Sequence, residues 1–208
     1  MNLIMDKAPT DVLICGKKVP IKADFVTCMN FEKMILTDSI SDTDKLSNAL
    51  NMFYGEREFT QEELEDAVEG ILFIYTCGDG DTENKKGNSP GKNNRIYDYE
   101  YDADYIYAAY KQQYGEDLQA HLNMHWWKFK SMFKALSNDT EFVKIMGYRS
   151  ITINSDMTKS QKDFYTKMKR IHALPLPADE QKKLDAIEEV LMNGGDLTGL
   201  MKELHGKM

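Results

Sequence analysis

"NMHWWKFKSMF", residues 123–133, carries both tryptophans of the chain side by side. A helix turns about 100° per residue, so adjacent residues cannot share one face. Working outward, Leu118, Leu122, Trp126, Phe129, Phe133 and Leu136 recur at spacings of three and four. That period predicts an amphipathic helix over residues 116–136 with Trp126 in the core. Trp127 then heads a second, narrower stripe with Ala120, Met124, Lys130 and Ser131. This stripe has two readings. It packs on a neighbouring helix of the same chain, the tyrosine-rich one being the first candidate, or it is an exposed anchor for a partner.

The rest of the chain supports a helical fold. Hydrophobic residues make up 42% and charged residues 29% of 208, enough apolar surface for a core. In "ADFVTCMNFEKMIL", Phe25, Cys28, Met29 and Phe31–Ile35 fit a helix that Asp24 caps. "SDTDKLSNALNMFYG" repeats Leu46, Ala49, Leu50 and Phe53. "TQEELEDAVEGILFIYTCG" opens on a Thr60/Glu63 capping box and closes at Gly78, with Leu64, Ala67, Val68, Ile71, Leu72 and Tyr75 as its stripe. Asp139 and Thr140 suit another helix start. Strand signals are confined to "DVLICGKKVPIKAD", residues 11–24, where Val12–Ile14 and Val19/Ile21 flank a turn at Gly16-Lys17. The expected fold is mainly α, a multi-helix bundle with a short N-terminal β-hairpin.

Residues 78–94, "GDGDTENKKGNSPGKNN", have almost nothing to bury and read as a solvated loop between two helical halves. Pro175 and Pro177 end the helical pattern, so the expected organisation is one domain over 1–177 and an amphipathic helical tail over 178–208. Leu184, Ile187, Leu191, Leu197, Leu200 and Leu204 mark the apolar face of that tail.

Several function classes are disfavoured. A net charge of −8 argues against non-specific nucleic-acid binding, which rests on cations neutralising phosphates. No apolar run approaches the roughly 20 residues of a membrane span. "MNLIMDKAPTDV" has Asp6 early and no long apolar stretch, so no signal peptide is expected. Cys15, Cys28 and Cys77 are scattered and without a CxxC pair, which fits buried thiols in a reducing cytoplasm better than a disulfide framework.

Candidate chemistry is thin. His121 and His125 stand four apart, but Leu122 occupies the place of the glutamate in HExxH, and no third ligand is near. Asp98, Glu100, Asp102 and Asp104 lie two apart, yet positions six and twelve of an EF-hand loop would be Ala103 and Ala109. These acids suit the first turn of a helix instead. Tyr97, Tyr99, Tyr101, Tyr105, Tyr107, Tyr110 and Tyr114 crowd around them. Seven tyrosines cannot share one core stripe, so some phenols should reach a surface or an interface. There is no phosphate-binding glycine loop after a strand, no GxSxG and no cofactor motif, and an enzyme is not expected.

Four stretches have an unusual wording: "IYDYEYDADYIYAAYKQQYGEDL", "HWWKFKSMFKAL", "FVKIMGYRS" and "FYTKMKRIHALP". Together with "VPIKADFVTCMNFE" and "ILFIYTCG" they resemble the phage Gp-fifteen family of tailed phages and prophages of Gram-positive bacteria, over roughly residues 1–193. The gene of that family typically lies between those of the major tail protein and the tape-measure protein, the place of a tail-assembly chaperone. The resemblance implies a protein of the host cytoplasm that holds the tape measure soluble during tail assembly and is absent from the finished virion. A second tail-assembly chaperone or self-association would fit beside that partner. The alternative is a structural tail or connector component retained in the particle. The thirteen methionines suit adaptable apolar contacts, although most are expected to fill core. The partner-binding candidates are Trp127, Met124, Tyr101, Tyr105, Leu197, Leu200 and Leu204.

Overall fold

The chain enters its fold through a two-stranded antiparallel hairpin, β1 (Asp11–Ile14) and β2 (Lys17–Pro20), with Val12 opposite Val19 and Ile14 opposite Lys17. Val12, Ile14 and Val19 are buried while Leu13 points outward, as strand alternation requires. The turn is Cys15–Gly16 rather than Gly16–Lys17. Both residues are left-handed, with φ of 47° and 74°, because a two-residue hairpin loop needs positive φ at both positions to match strand twist. The computed structural model describes residues 2–79, 95–175 and 192. The chain divides into two units, Met1–Leu174 and Pro175–Met208, and the description below concerns the first. Most of the loop expected over 78–94, and the 178–208 tail with Leu197, Leu200 and Leu204, lie outside the described residues.

Seven helices follow among the described residues: α1 (Phe25–Leu36), α2 (Asp42–Tyr54), α3 (Glu63–Tyr75), α4 (Ala103–Tyr114), α5 (Trp126–Lys134), α6 (Glu141–Ser150) and α7 (Lys159–Ile171). The fold is thus mainly α with an N-terminal hairpin. Local chemistry explains most helix starts. The side chains of Asp24, Ser41, Thr140 and Thr158 accept the N–H of Thr27, Asp44, Val143 and Gln161, satisfying amides that have no partner within the helix. α3 begins later than its capping-box signal. Glu63 accepts the Thr60 N–H at 3.1 Å, but the N-cap is Glu62, which makes no side-chain cap bond. Ala67, Gly70, Ile71 and Ile74 form the buried face of α3, while Leu72, expected in the stripe, is exposed.

The helix expected over 116–136 is corrected to α5 alone. Residues 116–125 form turns, and His125 has extended dihedrals. The cause is a tertiary pairing. Asp24 and His125 form an antiparallel bridge in which the Trp126 N–H donates to the Ala23 carbonyl at 2.6 Å and the Phe25 N–H to the Met124 carbonyl at 3.0 Å. Pairing with a distant segment fixes the backbone at 124–125 in an extended form that a helix cannot share. Two helices, α1 and α5, therefore start from one bridge, capped by Asp24 and His125. Leu122 loses its place in the stripe and is half exposed. His121 and His125 do not share a helix face.

Close approach of the hairpin to α3 requires glycine at one point. A Cβ on Gly70 would lie 2.9 Å from Val12 Cγ2 and 2.6 Å from the Tyr54 hydroxyl. Both neighbours are committed elsewhere: Tyr54 donates to the Ala67 carbonyl at 2.8 Å, and Val12 is buried against the core.

Candidate partner-binding surfaces

The centre of the unit is an aromatic hub built on α5. The Phe129 ring stacks on Phe25 at 5.0 Å, on Tyr110 at 4.9 Å and on Trp126 at 5.7 Å between centroids. Trp126 stacks in turn on Tyr75 at 6.0 Å. The adjacent tryptophans have a joint task at the end of α3. The Trp126 indole N–H donates to the Tyr75 carbonyl at 2.8 Å, and the Trp127 indole N–H donates to the Ile74 carbonyl at 2.7 Å. α3 stops at Tyr75, so the Tyr75 carbonyl lacks the donor that a further turn would supply, and the Ile74 carbonyl has the Cys77 N–H at 3.2 Å beside the indole. Two neighbouring indoles meet two neighbouring carbonyls.

Trp127 is 2% exposed and packs edge-on against Phe73 at 5.4 Å. It therefore faces α3, not the tyrosine-rich segment, and its ring is not open to a partner. Met124 is half buried, and its carbonyl serves the bridge to Phe25.

The tyrosines are chiefly structural. Tyr110 donates to the Phe129 carbonyl at 2.6 Å and Tyr114 to the Met132 carbonyl at 2.8 Å. Gln113 donates to the Ala135 carbonyl and accepts the Ser137 N–H. One face of α4 thus binds the carbonyls along α5. Burial pushes the Tyr110, Tyr99 and Tyr75 phenols up, so they remain protonated donors. Among the seven tyrosines only Tyr101 and Tyr105 are exposed, at 51% and 40%. Lys130 lies along the hub, its ammonium 5.0 Å from the centroid of Trp126 and 5.8 Å from that of Phe133. Burial lowers its pKa, opposed by the nearby Glu32 carboxylate.

The acids before α4 do not form its first turn, apart from Asp104. Asp98 closes a turn by accepting the N–H groups of Glu100 and Tyr101. Asp102 is completely buried and takes both terminal nitrogens of the Arg149 guanidinium, at 2.6 and 2.8 Å. Arg149 also donates to the carbonyls of Ile96 and His172. One guanidinium thus ties the segment before α4 to α6 and to the end of α7. Sequence reasoning missed this pair. The available signal was scarcity: arginine occurs at four positions, Arg57, Arg95, Arg149 and Arg170, and its planar fork suits a buried carboxylate as lysine does not.

An open groove of about 540 Å³ runs between α1 and α2, lined by Met34, Ile40 and Met52 together with Lys22, Lys33, Thr27, Asn30, Thr37 and Asn48. Burial pushes the Cys28 and Cys77 thiols up, the opposite of what an activated thiolate needs, whereas Cys15, expected to be buried, is exposed because it forms the hairpin turn. His121 pairs with Glu116. No group of three or more metal-ligating side chains occurs among the described residues, and no described helix is long and apolar enough to cross a membrane.

The family described as Bacteriophage Gp15 protein matches residues 4–174, a span holding the hairpin, the hub and all the helices above. The chain belongs to that family. No curated protein and no solved structure matches it. In this Gp15 chain the matched span includes the paired tryptophans, Tyr101, Tyr105 and the α1–α2 groove, whereas the tail candidates Leu197, Leu200 and Leu204 fall beyond it.

Proposed function

We propose that this phage protein is a tail-assembly chaperone that binds the tape-measure protein and keeps it soluble while the tail forms. Membership of the bacteriophage family carries the reading, and the surface is suited to it. A tape-measure protein is a long helical chain with apolar stripes, and a helper must offer apolar contacts that do not demand one ligand sequence. The Met34/Ile40/Met52 groove has that character, because thioether side chains adapt their shape at little cost. Tyr101 and Tyr105 add exposed rings with polar tips. The excess of acidic residues, a net charge of −8, favours dispersal of a loaded complex. On this reading the protein is not an enzyme, works in the host cytoplasm and leaves before the virion is complete.

Co-expression with the neighbouring tape-measure protein tests the proposal. The tape measure should become soluble and co-purify, and Asn48→Glu, on the exposed lining of the groove, or the pair Tyr101→Ala/Tyr105→Ala should weaken capture without lowering the melting temperature. Capture unaffected by either variant would remove these surfaces from the reading. Stoichiometric recovery of the protein from purified virions would replace the chaperone with a structural tail component.

A further inference from the structure

Two exposed faces of this unit are complementary to each other in charge, and both present apolar side chains. The first is on α3. Glu62, Glu65 and Glu69 are exposed together with Leu72 at 47% and Phe73 at 41%. At 100° per residue these five fall within an arc of about 100°, so they form one face. Glu63 and Asp66 add to the negative field, although Glu63 pairs with Arg57 and Asp66 accepts the Cys15 N–H. No lysine or arginine occurs from residue 58 to residue 84.

The second face is on α7. Lys159, Lys162, Lys167, Lys169 and Arg170 against Asp163 give a sum of +4, five minus one, in a chain whose net charge is −8. Its apolar arc runs from Ile171 and Phe164 through Met168 to Tyr165, about 120° wide. α6 covers only part of it. Tyr148 of α6 packs edge-on against Phe164, yet Phe164 stays 49% and Ile171 52% exposed, and no residue of α7 is fully buried. Lys167 and Arg170 lie beside that exposed shoulder. Neither they nor Glu65 and Glu69 make an ion pair among the described residues.

We propose that α7 of one copy docks on α3 of a second copy, with Phe164 and Ile171 against Leu72 and Phe73, and with Lys167 and Arg170 facing Glu65 and Glu69. A second copy is the occupant because the chain itself carries both halves of the contact. The two faces differ, so the contact is between unlike surfaces and can be broken from either side. It is independent of the chaperone reading.

The test uses the full chain and its variants in sedimentation over a concentration series. The wild type should associate with rising concentration, and less so at high salt, since exposed charges are screened. Glu65→Lys/Glu69→Lys and Lys167→Glu/Arg170→Glu should each weaken association at least about tenfold, roughly 1.4 kcal/mol. Mixing these two variants should restore it, because the intact α3 of the α7 variant then meets the intact α7 of the α3 variant, and the two reversed faces are complementary to each other. Phe164→Ser should weaken it without charge change. A wild type monomeric at all concentrations, charge reversals without effect, or a mixture that stays dissociated would overturn the proposal. So would a fall in melting temperature of the free variants, which would mean that the face is covered within its own chain. Association that reappears only on anionic vesicles would assign α7 to a membrane surface and equally overturn it.

Discussion

Removing the Arg149 side chain should cost more than removing Asp102, although the two form one ion pair. Arg149→Ala strands three groups at once. The Asp102 carboxylate, completely buried, keeps only the Asp98 N–H at 2.9 Å, and the carbonyls of Ile96 and His172 lose their donor. An uncompensated buried charge costs about 3–5 kcal/mol. For a chain of this length each kcal/mol lowers the melting temperature by roughly 2–4 °C, so a fall of roughly 6–20 °C is expected. Asp102→Ala also leaves a buried charge, but one that keeps two carbonyl acceptors, and it strands the Arg149 Nη2 and the Asp98 N–H. Its cost should be smaller by about 1–2 kcal/mol, since a hydrogen bond to a charged group contributes about 1.5–3 kcal/mol. The double variant should fall short of the sum by about 0.5–3 kcal/mol, the coupling of residues in contact. Arg149→Lys should be intermediate, because an ammonium cannot reproduce the two-pronged contact. Urea unfolding of the four chains, followed by circular dichroism, measures the cycle. Equal single costs, or costs that add without coupling, would refute the reasoning that Arg149 joins several segments.

Trp127→Ala should lower stability by about 3–5 kcal/mol, the usual cost of emptying a large aromatic site, and Trp127→Phe by less; unchanged thermal melting of Trp127→Ala would contradict its burial against α3. Trp126→Ala should destabilise by a similar amount, read in the same melts. Gly70→Ala should cost about 1–3 kcal/mol, because its new methyl meets Val12 and the Tyr54 hydroxyl; a neutral variant would show that the hairpin can move off α3. His125 gives a pH dependence. Its Nδ1 accepts the Trp127 N–H and its Nε2 lies 2.9 Å from the Pro9 carbonyl, so the cap requires the neutral ring. Burial holds its pKa below the usual 6.5, so the unfolded chain binds the proton more readily than the folded one. This contribution to stability is present above pH about 6.5 and is lost as pH falls through the lower folded value. His125→Asn, which can cap without titrating, should flatten that part of a stability-against-pH curve.

Much of the fold was legible because its causes are local. The alternation of Val12, Ile14 and Val19 encodes the hairpin, and the three-and-four spacing of Phe25, Cys28 and Phe31 encodes α1. Asp24 and Thr140 mark helix starts because a short polar side chain satisfies amides only three residues away. The core position of Trp126 followed from the same periodicity, with Phe129 and Phe133 continuing its face. Tyr101 and Tyr105, named among the partner-binding candidates, are exposed, but the packed role of the other tyrosines was not legible, since a phenol on a buried carbonyl, as in Tyr110, leaves no local pattern.

Tertiary structure alone decided where α5 begins, what Trp127 faces and whom Asp102 meets. Each depends on a pairing across a long stretch of chain: Asp24 with His125, Trp127 with the Ile74 carbonyl, Asp102 with Arg149. Residues 116–125 have a helical period, but the Ala23 carbonyl and Phe25 N–H hold the backbone extended at 124–125. A periodic pattern reports which face of a helix is apolar. It carries no record of a distant carbonyl or carboxylate that must be satisfied once it is buried, and that obligation sets the start of α5 and the place of Arg149.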